Sequence, residues 1–191
     1  MMRLFIACPL PPAVEEELGR LIFILKQKGG AVKWVAPKNI HLTVRFLGDT
    51  DEKLVAPLSH ILDTVAGDFG PVDTVVNRVG AFPNLRRPRV IWAGFNQHVD
   101  ILTRVASRVE LAVQDLGFEP ESKAFKSHLT LGRVKVDRGL DELREYLQRF
   151  DFTPVPLKLD RLTLFKSTLT PSGPIYTCLH ETLFKAPEKS K

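Results

Sequence analysis

Cysteine is scarce in this chain. Cys8 and Cys178 are its only two, too few for a disulfide framework. Both lie in apolar runs that read as strands, so buried thiols and a reducing, cytoplasmic setting are expected. Long hydrophobic stretches are missing as well, and none approaches the roughly 20 residues needed to span a membrane. The run Leu4 to Leu10 is broken at Pro9, Pro11 and Pro12 and followed by Glu15, Glu16 and Glu17, unlike the core of a secretion signal. There is no His-x-His, His-Glu-x-x-His or Cys-x-x-Cys spacing and no glycine-rich phosphate loop, so neither a metal nor a cofactor is expected. Nor is there a Gly/Ser linker. The 191 residues read as one domain, with a polar tail at about 186–191.

What is present is an ordinary globular composition, 44% hydrophobic, with a basic surplus. Lys and Arg outnumber Asp and Glu by 27 to 22, which favours anionic partners without singling out nucleic acid. Arg3 to Cys8 suits a buried strand, and the prolines after it suit the start of a helix reaching about Lys28, stopped by Gly29 and Gly30. Short strands are expected at Val32 to Val35 and Ile40 to Leu47, and helices at Glu52 to Val65, Asp100 to Leu116 and Leu140 to Phe150. Further strands fall at Val72 to Val79, Val90 to Phe95, Ser127 to Val136, Val155 to Phe165 and Ile175 to Phe184. The hairpin-like pairs near 72 to 95 and 155 to 184 point to antiparallel sheets and an α+β class. Any lobes must share a core.

Two segments repeat one pattern: Ile40-His41-Leu42-Thr43-Val44 and Ser127-His128-Leu129-Thr130-Leu131. Five His and twelve Thr would yield about 0.3 His-x-Thr triplets by chance, and roughly 0.04 with Leu between, so two copies are not accidental. In a strand, His and Thr two apart project from one face while the intervening Leu packs into the other. Two such strands meeting across a cleft offer two imidazoles and two hydroxyls to one small anion. Histidine titrates near neutrality and can serve as base or acid in phosphodiester cleavage. Thr43 and Thr130 can donate to the nonbridging oxygens. The third triplet, His180-Glu181-Thr182, carries a charge where the others bury leucine and reads as ordinary strand. His60 and His98 keep a structural reading.

These motifs bring a family into view. The chain resembles the two-histidine phosphoesterases, and most closely the RNA 2′,3′-cyclic phosphodiesterases once called 2′-5′ RNA ligases. The resemblance extends over Leu4 to Ala7, Asn39 to Gly48, the Phe82-Pro83 loop leading to Arg89 to Gly94, Phe125 to Arg133, Leu164 to Ser167 and Pro171 to Tyr176. It implies a bilobal α+β fold with pseudo-twofold symmetry, antiparallel sheets lining a central cleft, and hydrolysis of terminal 2′,3′-cyclic phosphates to 2′-phosphates. It makes His41 the proton donor to the leaving oxygen and His128 the proton acceptor that activates water. Residue types alone leave those two roles open. Ser127 departs from the family pattern, which often has proline there.

Among supporting residues, Arg133 lies five after His128, on the opposite face of an unbroken strand. A phosphate contact from it requires a bend or bulge near Gly132. Lys126 falls on the His128 face. Phe46 and Phe125, with Trp34, Trp92 and Tyr176, offer rings for stacking on a base or ribose, and Arg86, Arg87 and Arg89 form a basic loop suited to an RNA backbone. RNA ends or nucleoside 2′,3′-cyclic phosphates are the expected partners of a monomer without an obligate protein partner. RNA ligation as the reverse reaction, a noncatalytic RNA-binding module, and an esterase of small cyclic nucleotides are the competing readings.

Overall fold

The computed structural model describes residues 1–151, 153–171 and 173–185. The polar tail expected at 186–191, and Ser172 of the quoted Pro171 to Tyr176 run, lie outside them. The first apolar run forms β1 (Met2–Pro9), and Pro12 opens helix α1 (Pro12–Lys26) at the position where its missing N–H costs nothing. Gly29 and Gly30 end that segment with φ of 76° and 86°, angles that favour glycine. Then come β2 (Ala31–Trp34), β3 (His41–Thr50), α2 (Val55–Gly67), β4 (Val72–Phe82), β5 (Val90–Phe95) and α3 (Val99–Gln114). The rest comprises β6 (Leu129–Val136), α4 (Asp141–Arg149), β7 (Val155–Leu159), β8 (Arg161–Thr170) and β9 (Gly173–Leu183).

Every ladder is antiparallel, and the strand order is β7-β4-β5-β6-β3-β1-β8-β9, with β2 attached to β6. The order reads as two matched halves, β6-β5-β4-β7 and β3-β1-β8-β9, joined through the motif strands. That join is one residue pair, Leu42 opposite Leu129. Beyond it the neighbours of β6 are β2 and β5, so β3 departs and a cleft opens between the halves. Helices α2 and α3 cover the β3 half, while α1 and α4 touch β7 and β4 of the other. One contiguous cluster of buried side chains, with Leu42 and Leu129 both inside it, draws on both halves.

Two expectations need correction. The single strand read from Val155 to Phe165 is two, because the chain breaks at Asp160 and passes from β4 to β1. Both pieces are apolar enough to be continuous; their partners, not their composition, divide them. Cys178 is exposed, whereas Cys8 is buried and free. β9 belongs to an antiparallel sheet covered by α2 on one face, so its other face meets solvent even where the sequence is apolar.

Candidate active site

The two motif strands bring their histidines together as the spacing required. Leu42 and Leu129 are 1% and 0% exposed, so their neighbours His41, Thr43, His128 and Thr130 point to the opposite, cleft face, where all four are half-buried. In the antiparallel register the Leu42–Leu129 pair sets His41 across from Thr130 and Thr43 across from His128. Each half therefore offers one imidazole and one hydroxyl, related by the same pseudo-twofold axis as the strands.

The symmetry extends to the hydrogen bonds that orient the rings. His41 Nδ1 lies 2.9 Å from the Asn39 carbonyl, and His128 Nδ1 lies 2.6 Å from the Lys126 carbonyl. A carbonyl only accepts, so in each neutral ring the proton sits on Nδ1 and Nε2 is the bare, basic nitrogen. Burial pushes the His41 imidazole down to about 4, against the opposing pull of the Asn39 carbonyl, and the charge of nearby His128 lowers it further. His128 is lowered too, chiefly by burial and also by the Arg133 cation, while the Lys126 carbonyl resists. Without an anion, both rings are neutral at pH 7.

Aromatic side chains account for that burial. Phe5 stacks on His41 with ring centroids 4.8 Å apart, Phe165 stacks on Phe5 at 5.2 Å, and Tyr176 meets His41 edge-on at 5.4 Å. On the other side Phe82 meets His128 edge-on at 5.0 Å. Of these, sequence reasoning offered only Tyr176, as a stacking ring. Phe5 and Phe165 come from adjoining strands, and nothing local to either residue announces the contact. The family likeness runs through Phe5, Phe82 and Phe165 alike, but no physical signal in the sequence singles out any of the three.

The bulge that Arg133 requires is there. Along β5 and β6, Ile91 pairs with Gly132 and Trp92 with Thr130, leaving Leu131 without a partner. The slip restores Arg133 to the face of His128 and Thr130, and its charge is felt by both His128 and Tyr176. The other half carries the matching slip, with Ile6 opposite Arg45, Ala7 opposite Thr43, and Val44 unpaired. Phe46 thus occupies the position equivalent to Arg133. It is 43% exposed, with the Arg3 guanidinium 4.8 Å from its ring centroid.

The remaining candidates disperse. Lys126 precedes β6, so strand alternation does not govern it; its ammonium lies 5.5 Å from the Phe82 ring centroid. Phe125 is half-buried against the core. Trp34 and Trp92 pack closely against Gly132 and against Gly80 and Gly94 respectively, which are structural roles. Arg86, Arg87 and Arg89 are exposed on the loop after Phe82, where Asn84 Oδ1 accepts from the Arg86 and Arg87 amides. His180 bonds Asp63 at 2.8 Å, His60 sits on α2, and His98 Nδ1 bonds the Asp73 carbonyl. Among the described residues no three His, Cys, Asp or Glu side chains converge to hold a metal ion, and no helix is long and apolar enough to cross a membrane.

One residue of the first motif region went unremarked in the sequence. Arg45, 9% exposed, ion-pairs with Glu121 at 2.7 Å and Glu110 at 2.8 Å and donates to the Glu119 carbonyl. It fastens the His41 strand to α3 and to the loop that delivers His128.

Solved phosphoesterases share this architecture: Escherichia coli LigT complexed with 3′-AMP superposes with a TM-score of 0.75 at 22% identity, covering 97% of this chain and 99% of that one. A structure of TT0787 from Thermus thermophilus is nearer, with a TM-score of 0.80 at 27% identity, covering 98% and 100%. The family model described as LigT like Phosphoesterase matches residues 9–92 and 96–176, and the chain belongs to that family. Similar proteins include an RNA 2′,3′-cyclic phosphodiesterase of Thermotoga maritima, 34% identical over 96% of both chains. Another of that description, from Archaeoglobus fulgidus, is 36% identical over 92% of this chain and 96% of its own.

Proposed function

We propose that the chain hydrolyses 2′,3′-cyclic phosphate ends of RNA to 2′-phosphates, with His41 and His128 as its acid and base and without a metal. The observation that carries the reading is the pair of matched clamps: each Nδ1 is tied to the carbonyl two residues earlier, which leaves each Nε2 as the basic nitrogen of its ring, and the two rings are near enough for the charge of His128 to be felt at His41. In-line displacement at phosphorus needs two proton carriers on opposite sides of the phosphate, and one histidine from each half of the sheet suits that need. His128 Nε2 takes a proton from water as the water oxygen bonds to phosphorus. The bond from phosphorus to O3′ breaks, and that oxygen receives the proton held on His41 Nε2. The product is a 2′-phosphate with a free 3′-hydroxyl, and proton exchange with solvent resets both rings.

His41 is neutral in the empty site at pH 7, so the substrate must help to charge it. A phosphodiester anion beside the ring favours the imidazolium and raises its proton affinity as it binds. Thr43 and Thr130, on the face of the two histidines, donate to the nonbridging oxygens in this reading, and Arg133 on the same face offers a fixed positive charge. The names of the relatives support the substrate class. The test is an RNA oligonucleotide ending in a 2′,3′-cyclic phosphate, incubated in excess chelator with the product isomer identified. A 2′-phosphate formed at an undiminished rate is expected; a 3′-phosphate, or activity lost to the chelator, refutes the proposal.

A further inference from the structure

A cavity of about 270 Å³ adjoins His41, lined among others by Glu15, Lys38, Phe165, Pro174 and Tyr176. It is slightly below the roughly 300 Å³ at which pockets for whole small molecules begin, a size suited to one ring system. Glu15 is its unusual member. Glu16 and Glu17 in the same helical turn are exposed or pair with Arg20, as surface carboxylates do. Glu15 instead is half-buried, with no hydrogen-bond or ion-pair partner among the described residues. Burial raises its proton affinity without any cation to offset the change.

A carboxylate beside a phosphate site repels the phosphate, so its partner must be a hydrogen-bond donor on another part of the substrate. In a 2′,3′-cyclic nucleotide both O2′ and O3′ are bonded to phosphorus, which removes the ribose 2′ and 3′ hydroxyls as donors. The base edge is left, together with a 5′-hydroxyl that all mononucleosides share. If the leaving oxygen departs toward His41, the ribose and base lie on the His41 side, where this cavity is. Guanine presents N1–H and N2–H side by side, a fork that both oxygens of one carboxylate can accept, with O6 next to them for the Lys38 ammonium. Adenine and cytosine present one amino group beside a ring nitrogen lone pair, and uracil one N–H between two carbonyls; each sets an acceptor against the carboxylate.

We propose that Glu15 reads the base of the terminal nucleoside and that this cavity selects guanine. The inference rests on the cyclic phosphodiesterase reading above and deepens it. The experiment compares kcat/KM for the four nucleoside 2′,3′-cyclic monophosphates in the wild type and in Glu15→Gln, and in parallel the Kd of the four nucleoside 2′-phosphates. The guanosine substrate is expected to lead by about tenfold or more, the range of one bidentate base contact. Glu15→Gln, which keeps the shape but replaces one acceptor with a donor, should bring the four within about threefold. A purely structural glutamate at a helix start would alter melting temperature and leave the base ratios alone. Equal kcat/KM for all four bases in the wild type, or a guanine preference that survives in Glu15→Gln, overturns the proposal. Turnover without base preference refutes the guanine site and leaves the reaction standing. Guanine-selective binding of the 2′-phosphates without turnover does the reverse.

Discussion

Protonating His41 in the empty protein should be costly, and the cost can be worked out. Lowering an imidazole from 6.5 to about 4 penalises its charged form by about 3 kcal/mol at about 1.4 kcal/mol per unit. The unfolded chain binds a proton near pH 6.5 and the folded one only near 4, so between these values the unfolded state holds more protons. Stability is therefore full above pH 6.5 and falls by up to about 3 kcal/mol as the pH drops through 4. His128, also lowered, adds to the loss in the same direction. Long-range nitrogen–proton NMR of the imidazoles reads both the titration and the tautomer. At pH 7 both rings should carry the proton on Nδ1, and His41 should begin to charge only below about pH 5. Inorganic phosphate should shift both titrations upward, and a His41→Phe variant should lose the His41 share of the acid sensitivity measured by urea unfolding, about 3 kcal/mol, and keep that of His128. A His41 that titrates near 6.5 without ligand, or carries its neutral-state proton on Nε2, would refute the burial argument and the clamp together.

Two further substitutions probe how the motif strands are held. A Cβ at Gly132 would lie 2.7 Å from Val32 Cγ1 and 2.8 Å from the Trp34 ring, so Gly132→Ala should destabilise by about 1 to 3 kcal/mol and misplace Arg133. Thermal unfolding and KM measured together check both effects; an unchanged melting temperature would mean that β2 has room to move. Arg45→Met leaves Glu110 and Glu121 without their shared cation and should cost about 2 kcal/mol or more by urea unfolding. It should also lower kcat, because the loop before His128 loses its anchor, and Arg45→Lys should recover only part of each; full recovery by lysine would show that charge alone matters.

The legible parts of this site were those set by short spacing. His-Leu-Thr in a strand fixes which side chains share a face, and a buried Leu42 and Leu129 leave the histidines only one direction to point. The hairpin of β4 and β5 and the α+β class followed from local patterning in the same way. Arg133 shows the limit: two residues of alternation are readable, but a bulge depends on the neighbouring strand, so its face could be stated only as a condition on Gly132. Leu131 meets that condition. The rings around His41 come from β1 and from the hairpin of β8 and β9, which lie near opposite ends of the sequence and meet only through the sheet order. Asp160 hid for a related reason, since a strand that changes partners looks continuous when only its own residues are read. Arg45 went unremarked because the bulge at Val44 that turns it toward α3 is equally silent.

The central claim, that two symmetry-matched histidines perform the chemistry, is tested most directly by hydrolysis of a nucleoside 2′,3′-cyclic monophosphate by the wild type, His41→Ala and His128→Ala. Each variant should keep the fold, as judged by circular dichroism, and lose at least about a hundredfold in kcat, the usual contribution of one general acid or base. Activity within about tenfold of the wild type in either folded variant would contradict the account.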